Sequence, residues 1–252
     1  MVQISAHKGG SERAAPQTYE AYSDVLSSGA DYAEFDIRTT ADDVLVVYHD
    51  AAGPDGRLLA GLEYQELCDR AGYAVPRAED VMDMLAGQLA GHLDLKEAGC
   101  EERVISAALA TFGAGNFVAT TLEDVSVHRI KQAFPAVRMA LSLGRDLQQI
   151  PRRRWAEVRR GELFPLRRLR ACGADLAAIN VRLARIGVLR TCARNGVPAM
   201  VWTVDTDELI DRFVTDSRVE VLITNRPRRA VQRRAELGRL RSWTGPPELK
   251  GR

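Results

Sequence analysis

The chain has 252 residues, of which 46% are hydrophobic, and its formal net charge is +1. This length and apolar content suffice for a large buried core, and the near-zero charge argues against a general nucleic-acid-binding protein. No stretch approaches the roughly 18 uncharged apolar residues of a transmembrane helix, and no basic and then apolar leader precedes the first apolar run, so we expect a cytoplasmic protein.

Short apolar runs alternate with segments of helical period along the chain. The predicted strands are residues 2–6, 32–37, 44–48, 91–95, 116–120, 137–143, 176–181, 199–204 and 219–224. The predicted helices are residues 18–28, 77–89, 101–112, 122–134, 153–172, 183–195 and 206–215. Strands that alternate with helices in this way predict a parallel sheet with helices packed outside it.

The number of these units favours a closed barrel. Residues 44–48 are predicted to be an extra strand inside the second unit, which leaves eight βα units. That number is typical of a (β/α)8 barrel, and no Gly-x-Gly-x-x-Gly follows the first strand as it would in a dinucleotide-binding fold. We therefore predict a single (β/α)8 TIM barrel over residues 1–230, followed by a C-terminal helix and tail over residues 231–252.

Polar side chains stand where the predicted strands end, and in a barrel of this kind the active site forms at the carboxyl ends of the strands. Glu34 and Asp36, and likewise Asp94 and Lys96, are two residues apart, so each pair shares one face of its strand. The strands also carry His7, Lys8, His49 and Trp202, and we expect three carboxylates, two histidines and a lysine to converge at the mouth.

Each of these residues also has a structural explanation when it is taken alone. The acidic pair on the second strand could bridge Arg38 at the rim, Lys96 could pair with the aspartate before it, and Trp202 could belong to the core. His92 and His128 lack matching polar neighbours in the sequence, and a structural role explains both better. The joint position of the others at strand ends favours an active site.

The four cysteines (Cys68, Cys100, Cys172 and Cys192) have none of the close spacings typical of zinc or redox sites. We expect them to be free thiols in a reducing compartment. The three carboxylates, in contrast, form an oxygen-rich set suited to a hard divalent cation such as Mg²⁺ or Ca²⁺. Two histidines beside such an ion could act as general base and general acid, and a lysine could neutralise a phosphate oxygen. This combination predicts displacement at phosphorus in a small-molecule substrate.

Five segments resemble the glycerophosphodiester phosphodiesterase family, and they occur in the family's order. They are SAHKGGSERAAPQTYEAY, GADYAEFDIRTTADDVLVVYHD, HLDLK, PAMVWTVDTDEL and VEVLITNRP. The resemblance implies a (β/α)8 barrel that hydrolyses a glycerophosphodiester to glycerol 3-phosphate and an alcohol with the help of a divalent metal. It leaves open whether water or a hydroxyl of the substrate attacks phosphorus.

The resemblance also implies roles for the eight residues at the predicted strand ends. They are His7 and His49 as the acid–base pair, Glu34, Asp36 and Asp94 as ligands of one divalent cation, and Lys8, Lys96 and Trp202 as substrate contacts.

The sequence departs from the family pattern at four places. Lys8 stands where the family has Arg, Gln17 stands where it has Glu, and Asp94 stands where it has Glu. The loop at residues 51–67 is shorter than the usual family segment. The Asp-x-Lys pattern is also similar to the sphingomyelinase D branch of the superfamily. A lysophospholipid, a sphingomyelin-like diester or a specialised phosphoester is therefore an alternative substrate, and a catalytically inactive binding barrel is a second alternative.

Overall fold

The structure, a computed structural model, describes residues 1–242. Their strands are β1 Gln3–Ala6, β2 Tyr32–Thr39, β3 Leu45–Val47, β4 Ala90–Leu95, β5 Phe117–Thr121, β6 Met139–Leu143, β7 Leu176–Asn180, β8 Ala199–Trp202 and β9 Val219–Thr224. Their α-helices are α1 Tyr19–Val25, α2 Tyr64–Ala71, α3 Ala78–Leu85, α4 Glu101–Phe112, α5 Asp124–Ala133, α6 Trp155–Leu163, α7 Leu166–Cys172, α8 Val181–Arg185, α9 Val188–Arg194, α10 Asp207–Val214 and α11 Pro227–Ser242. None of these helices is long and apolar enough to cross a membrane.

Eight parallel strands close into a barrel in the order β1, β2, β4, β5, β6, β7, β8, β9, and β9 pairs with β1 again. β3 lies outside this ring and pairs antiparallel with β2. Residues 44–48 therefore supply the extra strand that the sequence predicts. The single (β/α)8 TIM barrel is confirmed.

The side chains of β2 alternate between the two faces of the barrel wall. Phe35 and Ile37 are fully buried toward the helices, where Phe35 meets Tyr22 edge-to-face at 6.2 Å between ring centroids. Because successive residues of a strand point to opposite faces, Glu34 and Asp36 point into the barrel. The apolar outer face anchors the strand, at about 2 kcal/mol for each fully buried side chain, and so fixes the direction of the two carboxylates.

Apolar side chains fill the amino-terminal half of the barrel interior. Tyr32, Val118, Leu176, Met200 and Val221 belong to one buried cluster, and each lies in the first half of its strand. The interior near the other ends of the strands contains polar side chains instead. The cavity described below therefore opens at the carboxyl ends, where barrels of this type place their chemistry.

A tight turn follows β1 and depends on two glycines. Gly9 and Gly10 have φ angles of +77° and +88°, which side chains of L-residues rarely adopt. A Cβ atom on Gly9 would lie 3.1 Å from the Tyr22 ring, and one on Gly10 would lie 3.0 Å from Pro227. This close packing against α1 and α11 holds His7 and Lys8 at the mouth of the barrel.

Two predicted helices differ from the observed ones, and one observed helix was not predicted. The predicted helix at 153–172 is two helices, because Pro165 has no N–H and cannot continue a helix that precedes it. The predicted helix at 183–195 is also two, separated by Gly187 at φ +118°. The sequence analysis missed α2. Among its described residues only Leu67 is fully buried, so the sequence of this helix shows little of the apolar periodicity that predicts a helix.

The C-terminal helix α11 begins at Pro227, three residues before the predicted end of the barrel domain. Ala230 is fully buried, and Arg234 bonds through Nη1 to Asp31 Oδ2 at 2.5 Å and to the carbonyl of Val2 at 3.0 Å. This part of the helix therefore packs on the barrel. Of the helix and tail predicted over residues 231–252, residues 243–252 lie outside the described residues, and the division at residue 230 stays a prediction.

Replacing Phe35 by Ala should lower the free energy of unfolding by about 3–5 kcal/mol, the usual loss for a buried phenylalanine. Urea denaturation followed by circular dichroism measures this change. The matched control is Phe164→Ala, because Phe164 is 71% exposed and its replacement should change stability by less than about 0.5 kcal/mol. Equal effects of the two substitutions would contradict the outward packing of Phe35.

Candidate active site

A cavity of about 400 Å³ opens at the carboxyl ends of the strands. This volume lies at the lower end of the range of about 300–1,000 Å³ that is typical of small-molecule sites. Six of the eight predicted site residues line it: His7, Glu34, His49, Asp94, Lys96 and Trp202. The other two contact residues that line it: Asp36 pairs with Lys96, and the backbone N–H of Lys8 donates to Glu34.

Three carboxylates meet at one point in this cavity. β2 and β4 pair in parallel register with Asp36 beside Asp94, and Glu34 precedes Asp36 by two residues. One oxygen from each of the three side chains lies within 4.8 Å of the others. Glu34 and Asp36 are buried, whereas the Asp94 side chain is 17% exposed and borders the cavity. The sequence prediction that these three residues lie together therefore agrees with the observed geometry.

Two lysines balance part of this negative charge. Lys96 Nζ lies 2.5 Å from Asp94 Oδ2 and 2.8 Å from Asp36 Oδ1, and Lys8 Nζ lies 3.6 Å from Asp36 Oδ2. Burial alone would lower the pKa of Lys96, but the carboxylates of Asp94, Asp36 and Glu34 outweigh it, so its pKa is raised. Lys96 therefore remains charged, and it contacts two of the three carboxylates rather than Asp94 alone.

The three carboxylates differ in the charge state that they favour. Burial works against the ionised form of Asp36, yet Lys96 and Lys8 outweigh it and lower its pKa to about 2. Burial and the charges of Asp36 and Asp94 raise the pKa of Glu34 well above its usual value. A raised pKa favours the neutral form of Glu34, and a cation bound between the three side chains would favour its ionised form instead.

The donor set fits a hard divalent cation. Carboxylate oxygens are the ligands that Mg²⁺ and Ca²⁺ prefer. Asp36 Oδ1 is fully buried and accepts no hydrogen bond of good geometry, although Lys96 Nζ is near. This buried oxygen therefore has a lone pair with which it can coordinate a cation.

Gln17 contributes a contact that the sequence analysis missed. Its Nε2 donates to Asp36 Oδ2 at 2.5 Å, and its backbone N–H donates to the carbonyl of Lys8 at 2.9 Å. Gln17 also has a φ angle of +62°, so the loop before α1 bends sharply toward the cluster. One of the places where the sequence departs from the family pattern therefore directly contacts a candidate metal ligand.

The two predicted acid–base residues line the same cavity. His7 Nδ1 lies 2.8 Å from Asn225 Oδ1, and burial lowers the pKa of His7. His49 is half-exposed, and its Nδ1 lies 2.8 Å from Asp50 Oδ1. In each ring the Nδ1 atom is therefore occupied by a neighbour, and Nε2 is the nitrogen left for a ligand in the cavity.

His92 has a more specific position than the sequence analysis predicted. It is buried beside the cavity with Nδ1 2.9 Å from Ser5 Oγ and Nε2 3.2 Å from Thr120 Oγ1, and Thr120 in turn donates to Asp94 Oδ1 at 2.7 Å. Burial lowers the pKa of His92 to about 4, so the ring is neutral near pH 7. This chain of hydrogen bonds holds Asp94. His128 lies exposed on α5, away from the cavity.

The structural alternative for the acidic pair on β2 is wrong. Arg38 bonds through Nε to the carbonyl of His49 at 2.9 Å and through Nη1 to Glu97 at 3.2 Å, so it fixes the end of β3 instead.

Trp202 belongs both to the packed interior of the barrel and to the wall of the cavity. Its Nε1 donates to the carbonyl of Ala178 at 3.0 Å, and its half-buried ring forms part of the cavity wall.

The loop at residues 51–67 folds away from the cavity after its first residue. Ala51 lines the cavity, whereas Leu59 and Leu62 are fully buried in a separate apolar cluster with Leu67 and Val75. The loop also contains the start of α2. Its apolar residues beyond Ala51 therefore build a local core instead of lining the cavity.

The opposite side of the mouth carries Arg145, which the sequence analysis did not single out. Its Nη2 donates to the carbonyl of Leu122 at 2.9 Å and to Glu123 Oε1 at 2.7 Å. The buried Glu162 accepts hydrogen bonds from the backbone N–H groups of Gly144 and Arg145 through one oxygen. The cavity therefore has a fixed cationic group on this wall.

Comparisons with known proteins find similar sequences and similar folds. The sequence model of the Glycerophosphoryl diester phosphodiesterase family matches residues 7–69. A glycerophosphodiester phosphodiesterase of Caldanaerobacter subterraneus subsp. tengcongensis is 23% identical over 246 residues, which cover 89% of this chain and 94% of the relative.

Solved structures share the fold. A glycerophosphodiester phosphodiesterase from Parabacteroides distasonis superposes with a TM-score of 0.75 at 20% identity and covers 94% of this chain and 98% of its own. A phosphodiesterase from Oleispira antarctica, solved in complex with the product sn-glycerol-3-phosphate, superposes with a TM-score of 0.72 at 16% identity over 92% and 96% of the two chains. At these identities the structures demonstrate a common barrel.

Replacing Asp36 by Asn should abolish the stabilisation of the protein by Mg²⁺ or Ca²⁺. In the unaltered protein, the bound cation should raise the melting temperature by about 5–10 °C when its concentration is about 100-fold above Kd. Thermal denaturation with and without each cation measures the shift. Asp43→Asn is the control, since the Asp43 side chain is 84% exposed and lies outside the cluster. A full cation shift in Asp36→Asn would refute the proposed ligand set.

Proposed function

From the resemblance to the glycerophosphodiester phosphodiesterase family, which the comparisons confirm, we propose that this chain hydrolyses a glycerophosphodiester to glycerol 3-phosphate and an alcohol. The observation that carries the proposal is the convergence of three carboxylates, two lysines and two histidines on one cavity at the carboxyl ends of the barrel strands. The glycerol 3-phosphate bound to the Oleispira antarctica relative supports the same product class here.

Glu34, Asp36 and Asp94 are proposed to hold one divalent cation, Mg²⁺ or Ca²⁺. A bound cation of this kind polarises a phosphoryl oxygen and offsets the negative charge of the phosphodiester. The protein's own contribution is to hold the carboxylates in place. Thr120 fixes Asp94, the backbone N–H of Lys8 donates to Glu34 at 2.7 Å, and Gln17 donates to Asp36.

His7 and His49 are proposed to move the protons of the reaction. The attacking oxygen, from water or from a substrate hydroxyl, forms a bond to phosphorus as the bond from phosphorus to the leaving alcohol breaks. One histidine accepts the proton of the attacking oxygen and the other gives a proton to the leaving oxygen, so that charge does not accumulate on either. A histidine is suited to both roles because its usual pKa lies near neutral pH.

Lys96, Lys8 and Trp202 are proposed to bind the substrate. Lys96 borders the cavity, where its ammonium can neutralise a phosphoryl oxygen, and Lys8 adds a second positive charge behind it. Lys8 carries the same positive charge as the Arg of the family pattern, but its ammonium lacks the two parallel N–H donors of a guanidinium. Most of the residues that line the cavity are charged or polar, and this lining favours a deacylated diester over a lysophospholipid or a sphingomyelin-like lipid. The cytoplasmic location stays a prediction.

Replacing His49 by Ala should lower the release of glycerol 3-phosphate from glycerophosphocholine by about 10²–10⁴-fold, the usual contribution of a general acid or base. A coupled assay for glycerol 3-phosphate measures this in the presence of Mg²⁺ or Ca²⁺. His128→Ala is the matched control, because His128 is exposed on α5 and should keep full activity.

The same assay with EDTA separates this proposal from an inactive binding barrel. Turnover should fall to background when EDTA removes the cation and return when Mg²⁺ or Ca²⁺ is added in excess. A panel that also contains lysophosphatidylcholine and sphingomyelin tests the lipid alternative. Absence of cation-dependent turnover on every diester of the panel would refute the enzymatic function.

Replacing Lys96 by Met should tighten cation binding while it weakens catalysis. Lys96 Nζ lies within 3 Å of two candidate ligands, and removing a positive charge at that distance should favour a cation by roughly tenfold or more. The same change removes a proposed phosphate contact, so KM for the diester should rise. Calorimetric titration with Mg²⁺ or Ca²⁺ measures the first effect. Weaker cation binding in this variant would contradict the arrangement.

A further inference from the structure

One wall of the cavity, at the carboxyl ends of β5 and β6, takes no part in the cation binding and proton transfer proposed above. Glu123, Ser142 and Arg145 line the cavity there, and we call these three residues the β6 wall. Leu141 and Leu143 belong to the apolar core that the helices share. Because successive residues of a strand point to opposite faces, Ser142 points into the barrel.

The hydroxyl of Ser142 is a hydrogen-bonding group without a protein partner. Ser142 is buried, and its Oγ makes no hydrogen bond with any of the residues 1–242 that the structure describes. The neighbouring hydroxyl of Thr120, in contrast, donates to Asp94. A hydroxyl both donates and accepts, and a buried polar group costs free energy when it is left without a partner. A ligand with a hydroxyl at this point would supply that partner.

Arg145 and Glu123 place hydrogen-bond donors and an acceptor side by side. Their mutual bond joins Arg145 Nη2 to Glu123 Oε1. A guanidinium has five N–H donors and a carboxylate has two oxygens, so the pair keeps further donors and an acceptor. Two neighbouring hydroxyls of a ligand can therefore accept from the arginine and donate to the glutamate. The opposite charges of the pair offset each other, and the pair suits an uncharged ligand.

The loop that carries Arg145 is held in place by the protein itself. The buried Glu162 accepts from the backbone N–H of Gly144 at 2.8 Å and from that of Arg145 at 2.6 Å. A Cβ atom on Gly144 would collide with Asn180 and would lie 3.3 Å from Trp202 Cζ2. The loop therefore lies against the indole ring of Trp202, and the β6 wall adjoins an aromatic surface that suits the C–H face of a cyclic ligand.

A cationic alcohol moiety fits this wall less well. Asp146 also lines the cavity, and a quaternary ammonium could lie near its carboxylate and the ring of Trp202. Such a group neither donates nor accepts a hydrogen bond, so it would leave the Ser142 hydroxyl without a partner. The charge of Arg145 would also repel it.

We propose that the β6 wall binds the alcohol moiety of the diester and favours an uncharged polyol of the cyclitol or sugar class. The hydroxyls of the polyol bond to Ser142, Arg145 and Glu123, and its C–H face packs on the ring of Trp202. This inference rests on the proposed function and names the substrate class of the same site. The three residues of the β6 wall select the alcohol and transfer no proton.

A pair of diesters that differ only in the alcohol tests this selection. Glycerophosphoinositol carries an uncharged cyclitol, and glycerophosphocholine carries a quaternary ammonium. The value of kcat/KM should be at least about tenfold higher for the inositol diester, because only its alcohol supplies hydrogen bonds to the β6 wall. The assay for glycerol 3-phosphate in the presence of Mg²⁺ measures both values. Equal values, or a preference for the choline diester, would overturn the inference.

Two variants assign the preference to the β6 wall. Ser142→Ala and Arg145→Met each remove hydrogen bonds to the polyol, so each should lower the ratio of the two kcat/KM values about 5–10-fold. The matched controls are Ser23→Ala and Arg153→Met, because both residues are exposed and lie outside the cavity lining. An equal loss on both diesters is the result expected if the wall held the glycerol that they share, and it would overturn the inference.

Binding measured without turnover separates this inference from the proposed function. Calorimetric titration of His49→Ala with each diester in the presence of Mg²⁺ gives the two Kd values. Circular dichroism first confirms that each variant is folded, and Ser142→Ala, the smaller change, serves if Arg145→Met is not.

Tighter binding of the inositol diester, lost when Ser142→Ala is added to His49→Ala, supports the role of the β6 wall. This holds even if the unaltered protein hydrolyses no diester, in which case the proposed function alone fails. Equal binding of the two diesters overturns the inference. If the unaltered protein then hydrolyses both diesters, the proposed function stands without it.

Discussion

The convergence of the buried Glu34 and Asp36 with Asp94, which borders the cavity, on one point inside the barrel is the constraint on which the rest of the site depends. Carboxylates removed from water repel one another, and each needs a positive or hydrogen-bonding partner. Lys96 and Lys8 supply charge, while Gln17, Thr120 and the backbone N–H of Lys8 supply hydrogen bonds. Partial neutralisation of this kind keeps the cluster stable and still leaves it able to attract a cation.

The fold supplies this arrangement through the register of its strands. Neighbouring parallel strands place Asp36, Asp94 and Thr120 side by side, because the register pairs Asp36 with Asp94 and Asp94 with Thr120. Closure of the barrel brings the first and last strands together and so places Asn225 beside His7. The apolar cluster in the amino-terminal half of the barrel interior excludes water from that end of the site. A shift of one residue in any of these pairings would turn the side chains to the other face.

The sequence predicted what depends on local pattern. The two-residue spacing of Glu34 and Asp36 within an apolar strand indicated that both face the interior, and the count of βα units indicated the closed barrel. Contacts between distant parts of the chain could not be predicted in this way. Gln17 meets Asp36 only because the loop before α1 bends at a positive φ, and His92 gains its partners from β1 and β5. The break at Pro165, in contrast, follows from proline chemistry alone.

The central claim is that Glu34, Asp36 and Asp94 share one divalent cation, and a crystal of the protein grown with Mn²⁺ tests it most directly. Anomalous scattering from manganese locates the ion independently of any assay. We predict one strong peak at about 2.0–2.6 Å from an oxygen of each carboxylate, the range of metal–oxygen distances for such ions. No peak between the three carboxylates at saturating Mn²⁺, or a peak held by other residues of the mouth, would contradict the account.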